Sequence, residues 1–272
     1  MTAILALLVA LLAAFTPPAA AQSWPNRPVR VIVPYGPGGS TDNSTRAFAD
    51  KLSIDLGQQF VVENKGGASG AIGVEAGAKS APDGYTLVVA PLATLAVLPH
   101  GRPTAYDPFK DFTYIGRFSF GTLVIAITPS LPSQTLAEFI AFIKANPGKY
   151  FNATGGVGSM PHLAVEALKE LAGIDMVHVP YRGGAEALTD FLAGTVHMVN
   201  ESNTLPHVKA GKARLLAVID SERHPDYPDV PLVGEVVPGY DVTNWFGVAG
   251  PAGVAPEIVA RLSAAHKKVA VM

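Results

Sequence analysis

Apolar and polar positions along this chain switch repeatedly between a period of two and a period of about 3.6. Val29, Val31 and Val33 alternate with Arg30 and Ile32 and stop at Pro34, which predicts a short strand running into a loop. Ala47, Phe48, Leu52 and Leu56 then recur at helical spacing up to Gly57, with Thr41, Asp42, Asn43 and Ser44 as candidate caps. Further strands are expected over 59–63, 85–90, 122–128, 150–153, 176–180, 196–199, 214–219 and 243–249. Helices are expected over 71–79, 136–145, 185–193 and 205–210, from Pro161 to Gly173, and from Pro256 onward. Strand and helix alternate throughout, so the chain is α/β. The unbroken apolar run 85–90 suits a strand covered on both faces of a parallel sheet, whereas 214–219 is expected to cross back to the first half.

Connections carry the candidate chemistry. The stretch from Tyr35 to Ser40 holds three glycines and a proline between a strand and a helix start. Unpaired backbone N–H groups collect at a helix start, and glycines let an anion approach them. The dinucleotide fingerprint fails because Thr41 stands where its last glycine belongs. The phosphate loop fails too, since Gly148-Lys149 and Gly211-Lys212 are followed by Tyr150 and Ala213. A small carboxylate fits better than a nucleotide, and an ordinary tight βα turn needing positive φ explains the same residues. The architecture recurs at 154–162, Thr-Gly-Gly-Val-Gly-Ser-Met-Pro-His, with Pro161 placed as a first helical residue. Two such loops point to a ligand with two anionic ends or to one carboxylate held from both sides. Charge-assisted hydrogen bonds of about 1.5–3 kcal/mol each would support micromolar affinity without an arginine. Loop 91–99 follows a strand end, where ligands of open α/β sheets sit, which makes Thr94 a candidate contact. Stretch 106–112 reads as a polar connector with aromatic anchors.

Composition narrows the function. The 272 residues are enough for one large or two small domains; they are 49% hydrophobic and 15% charged, with a net charge of −2. Lys and Arg are scattered singly, so no nucleic-acid face is expected. The absence of cysteine excludes disulfides, thiolate metal sites and cysteine nucleophiles. Ala3 to Phe15 is an apolar run shorter than the roughly 20 residues of a membrane span, and Ala19-Ala20-Ala21 precedes Gln22 like a cleavage site. Residues 1–21 therefore read as a secretory signal, although no Lys or Arg occurs before Arg27.

Enzyme motifs are weak. Ser159 and His162 invite a nucleophile and base pair, but no G-x-S-x-G elbow exists and no third residue orients the histidine. His162 is equally a neutral hydrogen-bond donor near a ligand or a surface residue. No histidine spacing suits a metal, and no cofactor is implied. Arg182 is either a carboxylate clamp or a solvated loop cation.

Several motifs carry a resemblance. They are P-Y-G-P-G-G-S-T-D at 34–42, V-E-N-K-G-G-A-S-G at 62–70, P-D-G-Y-T-L at 82–87 and Y-D-P-F-K-D-F at 106–112. The loop at 154–162, V-P-Y-R-G-G at 179–184 and W-F-G-V-A-G-P-A-G at 245–253 complete the set. From Trp24 to about Leu262 the chain resembles the tripartite tricarboxylate transporter substrate-binding proteins, the Bug receptors. The resemblance implies a two-lobed, type II periplasmic-binding-protein-like fold, each lobe a mixed sheet flanked by helices. The first lobe would take 22–118 and 220–250, and the second 119–219 and 251–272, with its C-terminal part truncated because relatives run on past Met272. The implied function is non-enzymatic: a monomeric periplasmic receptor closes on a small carboxylate and delivers it to membrane permease subunits. A secreted serine-type hydrolase and a carboxylate-sensing receptor without transport are the alternatives. Carried over by position, the ligand would meet Tyr35, Gly39, Ser40, Thr41 and Asp42 in one lobe, with Asp42 orienting the loop. In the other lobe it would meet Thr154, Gly155, Gly158, Ser159 and His162. Thr94 to Pro99 lacks the histidine and asparagine usual after that strand. His197-Met198-Val199-Asn200 stands where an acidic residue is usual, leaving Asn200 as the contact. Both departures imply a less polar far end than that of citrate.

Overall fold

The computed structural model describes residues 24–270, so the expected signal at 1–21 lies outside the described residues. The chain forms two five-stranded mixed sheets. In the first, β1 (Val29–Val33) lies between β2 (Phe60–Asn64) and β3 (Thr86–Pro91), parallel to both. β10 (Trp245–Pro251) then runs antiparallel between β3 and β4 (Phe112–Phe120). In the second, β6 (Phe151–Thr154) is parallel to β7 (Val177–Pro180) and β8 (Met198–Glu201). There β5 (Leu123–Ile127) runs antiparallel between β8 and β9 (Arg214–Ile219). Each sheet thus joins a parallel trio to an antiparallel pair.

Helices bury both faces of each sheet. On the first, α1 (Ser40–Leu56) and α9 (Pro256–Val269) set Phe48, Leu52, Leu262 and Ala265 against Val31, Val33, Phe118 and Val248. Across that sheet, α2 (Ala71–Ala78) packs Val74 on Ile32, Val88 and Ala249. Gly77 lies so close to Val88 that a Cβ would meet it at 2.4 Å, which is why a glycine sits in this helix. On the second sheet, α4 (Leu136–Lys144) and α5 (Met160–Ala172) bury Phe139, Ile143 and Leu168 against Ile125 and Ile127. The other face takes Ala187 and Phe191 of α6 (Gly184–Leu192) and Val208 of α7 (Leu205–Lys209). Each fully buried side chain of this size contributes about 1.5–3 kcal/mol. No described helix is long and apolar enough to cross a membrane.

The chain passes between sheets at two places, after β4 and before β10. They are tied to each other: Gly121 N donates to Asn244 O (3.1 Å) and Asn244 Nδ2 donates to Gly121 O (2.9 Å), while Thr122 Oγ1 donates to Asp220 Oδ2 (2.8 Å) at the end of β9.

Several expectations change. The 214–219 strand does not cross back; β9 is an edge of the second sheet because its apolar residues pair with β5. The expected split at 250/251 is also corrected, since α9 packs on the first sheet beside Phe48 and anchors Lys268 to Asp55 (3.0 Å). Conversely, the segment after β9 forms α8 (Val233–Val236) and buries Val233, Val237 and Tyr240 in the second core. Loop 91–99 is helical, with a π turn (Ala93–Val97) followed by α3 (Leu98–Gly101). Within 106–112, Tyr106 and Phe112 are buried, whereas Phe109 is 94% exposed and anchors nothing.

Candidate functional site

Three strand–loop–helix units aim helix starts into the cleft between the sheets: β1 to α1, β6 to α5 and β7 to α6. Each is glycine-rich at the turn. Gly38 (φ +79°) and Gly156 (φ +121°) hold backbone conformations that L side chains rarely adopt.

The first loop is braced from behind. Asp42 Oδ2 accepts from Gly38 N and from Arg46 Nε, both at 2.9 Å, while its Oδ1 accepts from Asn64 Nδ2 (2.8 Å). Asn64 Nδ2 also donates to Tyr35 O (3.1 Å), and Arg46 Nη2 donates to Asn64 Oδ1 (2.9 Å). Burial alone would raise the Asp42 pKa, but the bonds from Arg46, Gly38 and Asn64 outweigh it and hold the carboxyl below its usual value. The α1 cap position falls to Gly39, with no side-chain cap, because Thr41 and Asp42 lie inside the first turn.

The second loop is closed by Ser159, which caps α5. Its Oγ donates to Gly156 O (2.7 Å) and accepts from His162 N (3.4 Å), while His162 Nδ1 accepts from Gly158 N (3.2 Å). The His162 ring lies 4.2 Å from that of His178, whose Nε2 is 2.6 Å from Thr154 Oγ1. Burial lowers the pKa of both histidines, that of His178 to about 4 with help from His162, so both are neutral near pH 7. Ser159 Oγ therefore meets backbone atoms and not the imidazole, which removes the nucleophile and base pair that a serine hydrolase needs.

The cleft is lined by Tyr35, Gly39, Ser40 and Thr41 from the first loop and by Gly155 and Ser159 from the second. It also takes Gly183 and Gly184 from the third loop, together with Glu201 at the end of β8. Pro91, Ala93, Leu123, Met160, Pro161 and Phe246 make the remaining wall largely apolar, with Asn244 beside them. The lobes meet around it. Ser202 Oγ donates to Ser40 Oγ (3.1 Å), Asn203 N donates to the same oxygen (3.3 Å), and Ser69 Oγ donates to Val157 O. Among the described residues, no cluster of three His, Cys, Asp or Glu side chains could hold a metal ion.

Asp42, Thr94, Thr154, Gly158, His162 and Asn200, all expected as contacts, are not among the residues that line this cleft. Thr94 is fully buried and its hydroxyl donates to Pro91 O (2.8 Å), because the π turn folds it inward. Asn200 is fully buried and donates to Pro161 O (2.6 Å). Successive strand residues face opposite sides, so Glu201 and not Asn200 reaches the cleft, and an acidic group is present after all. Burial raises the Glu201 pKa to about 7 against the lowering effect of hydrogen bonds from Ser40 N, Gly155 N and the Ser40 hydroxyl. Burial and the charge of Glu201 together push Tyr35 up. Gly183 and Gly184 were also missed as contacts. Tyr181-Arg182-Gly183-Gly184 before an amphipathic helix was the available signal, since it repeats the pattern of the first two loops. Arg182 itself is exposed.

The chain matches the family model described as tripartite tricarboxylate transporter family receptor over residues 44–272. It is similar to the UPF0065 protein in the gbd 5' region of Cupriavidus necator, 38% identical over 94% of this chain and 79% of that protein. It is also similar to protein BugT of Bordetella pertussis, 37% identical over 90% and 77% of the two chains. Among solved structures, one described as a periplasmic transporter superposes with a TM-score of 0.87 at 37% identity, covering 91% of this chain and 84% of the other. An R. palustris protein with adipate gives 0.84 at 34% identity, covering 89% and 83%. MatC from Rhodopseudomonas palustris with bound malate gives 0.83 at 32%, covering 90% and 85%. With three convergent helix starts facing one cleft between two mixed sheets, and with residues 44–272 of the chain matching the family model, the chain belongs to the tripartite tricarboxylate transporter receptor family.

Proposed function

We propose that this protein is a periplasmic receptor that closes its two lobes on a small organic acid and hands it to the permease subunits of a tripartite tricarboxylate-type transporter. The observation that carries this function is the convergence of the Ser40, Gly155 and Gly184 backbones on one cleft, since backbone N–H groups at helix starts favour anions. Tyr35, Ser40, Thr41 and Ser159 supply the neighbouring hydroxyls, and Asp42 and His162 hold the loops in place from behind. The apolar wall of Pro91, Ala93, Leu123, Met160 and Phe246 favours an acid with an aliphatic or aromatic body over citrate. Relatives of similar fold carrying adipate and malate support the carboxylate class. The apolar run before Gln22 supports export, and a monomer suffices because one chain supplies both walls of the cleft.

Isothermal calorimetry and thermal melting of the chain from Gln22, against adipate, malate, benzoate and citrate, test this. A ligand at a hundred times its Kd raises folded-state stability by about 2.7 kcal/mol. Binding of adipate or benzoate with little response to citrate is the expected result. Tight citrate binding without the others overturns the apolar-body assignment, and no response to any acid overturns the receptor function.

A further inference from the structure

One side chain in the cleft already behaves as a carboxylate ligand would. The Glu201 carboxyl lies between the glycine loops of the two lobes: a Cβ built on Gly39, in the first, would stand 3.8 Å from Oε2, and one built on Gly155, in the second, 3.2 Å from Oε1. It lies against the start of α6, where a Cβ built on Gly184 would come within 1.9 Å of Oε2, so only glycine leaves room for the carboxyl. With Glu201 in place the cleft retains a cavity of about 40 Å³, room for a few water molecules and not for a dicarboxylic acid.

We propose that Glu201 is the specificity-determining residue of the cleft: it occupies the place between the glycine loops of the two lobes that a ligand carboxylate needs, and it yields that place only as a protonated acid. This inference rests on the carboxylate-receptor function proposed above. Two ionised carboxylates cannot share that place without repulsion, whereas a neutral Glu201 can turn aside and donate a hydrogen bond to a ligand oxygen. The proton comes from solvent, stays on Glu201 and bridges the two carboxyl groups. The receptor thus takes up one proton with each ligand when Glu201 starts ionised.

The groups around Glu201 leave that proton to it. Tyr35, on the loop after β1, is pushed up by burial and by the Glu201 charge, so it stays a neutral hydroxyl. Asp42 in α1 is bound to Arg46. On α5 and β7, His162 and His178 are kept neutral by burial, and Glu166 is bound to Lys169. At the start of α6, Glu186 accepts from Arg182 N (3.2 Å), and Arg182 is exposed. The influences drawing the Glu201 carboxyl toward its ionised form are hydrogen bonds from Ser40 and Gly155, and no cation is among them.

Calorimetry of the mature chain with adipate and with malate, at about pH 6 and about pH 8 and in two buffers of different ionisation enthalpy, tests the proposal. Affinity is expected to fall about tenfold per pH unit above the Glu201 pKa of about 7, with uptake approaching one proton per ligand at the higher pH. Glu201→Gln keeps the shape without the charge and is expected to bind equally at both pH values. Equal affinity at both pH values with no proton uptake in the unmodified chain overturns the proposal while leaving the receptor function intact, and it needs no variant to fold. Absence of adipate and malate binding at both pH values, in both proteins, overturns this inference together with its premise.

Discussion

Asp42→Asn tests whether the first anion loop is held from behind. In the folded protein Oδ2 takes two donors, Gly38 N and Arg46 Nε, and Oδ1 takes a third, Asn64 Nδ2. An asparagine has one acceptor oxygen, so its NH2 must replace one of these positions. At Oδ2 it would face both Gly38 N–H and Arg46 Nε–H. At Oδ1 it would face Asn64 Nδ2, and flipping Asn64 to help would turn its NH2 toward Arg46 Nη2 and forfeit the bond to Tyr35 O. No arrangement satisfies every group. The side chain of Asp42 is only 2% exposed, so water cannot compensate. Losing at least one bond to a charged group, worth about 1.5–3 kcal/mol, and leaving a donor facing a donor gives an expected loss of about 3 kcal/mol. For a chain of this size that is a fall in Tm of roughly 6–12 °C. The sign with pH is fixed as well. The folded Asp42 pKa is lowered, so its contribution is present above the unfolded pKa and is lost as pH falls through the folded one. The gap between native and variant proteins, measured by urea unfolding at several pH values, should therefore close in acid. A variant within about 0.5 kcal/mol of the native protein at neutral pH would refute the brace.

Three further outcomes follow from the same geometry. Ser159→Ala removes the cap of α5 and the bond to Gly156 O, and is expected to cost about 1 kcal/mol in urea unfolding and to weaken ligand binding by calorimetry. Phe139→Ala empties a fully buried position in the second core and should cost about 3–5 kcal/mol, read from the shift of the unfolding midpoint. Because Glu201 is raised from 4.5 to about 7, the folded chain binds the extra proton, and stability should fall as pH rises across that window. The fall should reach at most about 3 kcal/mol, and Gly184→Ala, which displaces the carboxyl, should flatten it; an identical slope in both proteins would contradict the assigned contacts.

What could be read from the sequence alone was local. Val29–Val33 alternates, Gly36 to Gly39 breaks the chain, and the apolar spacing after Ser40 restarts it as a helix; each signal acts within a few residues. The two glycine loops and the α/β class followed from such signals. That Asp42 orients the first loop was implied by the resemblance and not by a local signal. What the tertiary structure decided was which distant segments share a sheet. The amphipathic stripe of α9 suits either core, and only its packing against Phe48 and Phe118 assigns it to the first. An acid at a strand end reads as solvated, yet β8 is central, between β6 and β5, so Glu201 projects into the cleft. There the loops carrying Gly39 and Gly155, more than a hundred residues apart in sequence, meet on one carboxyl. Periodicity fixes which side of an element is apolar; pairing across the chain fixes what that side faces, and in this protein the chemistry of the cleft depends on the second.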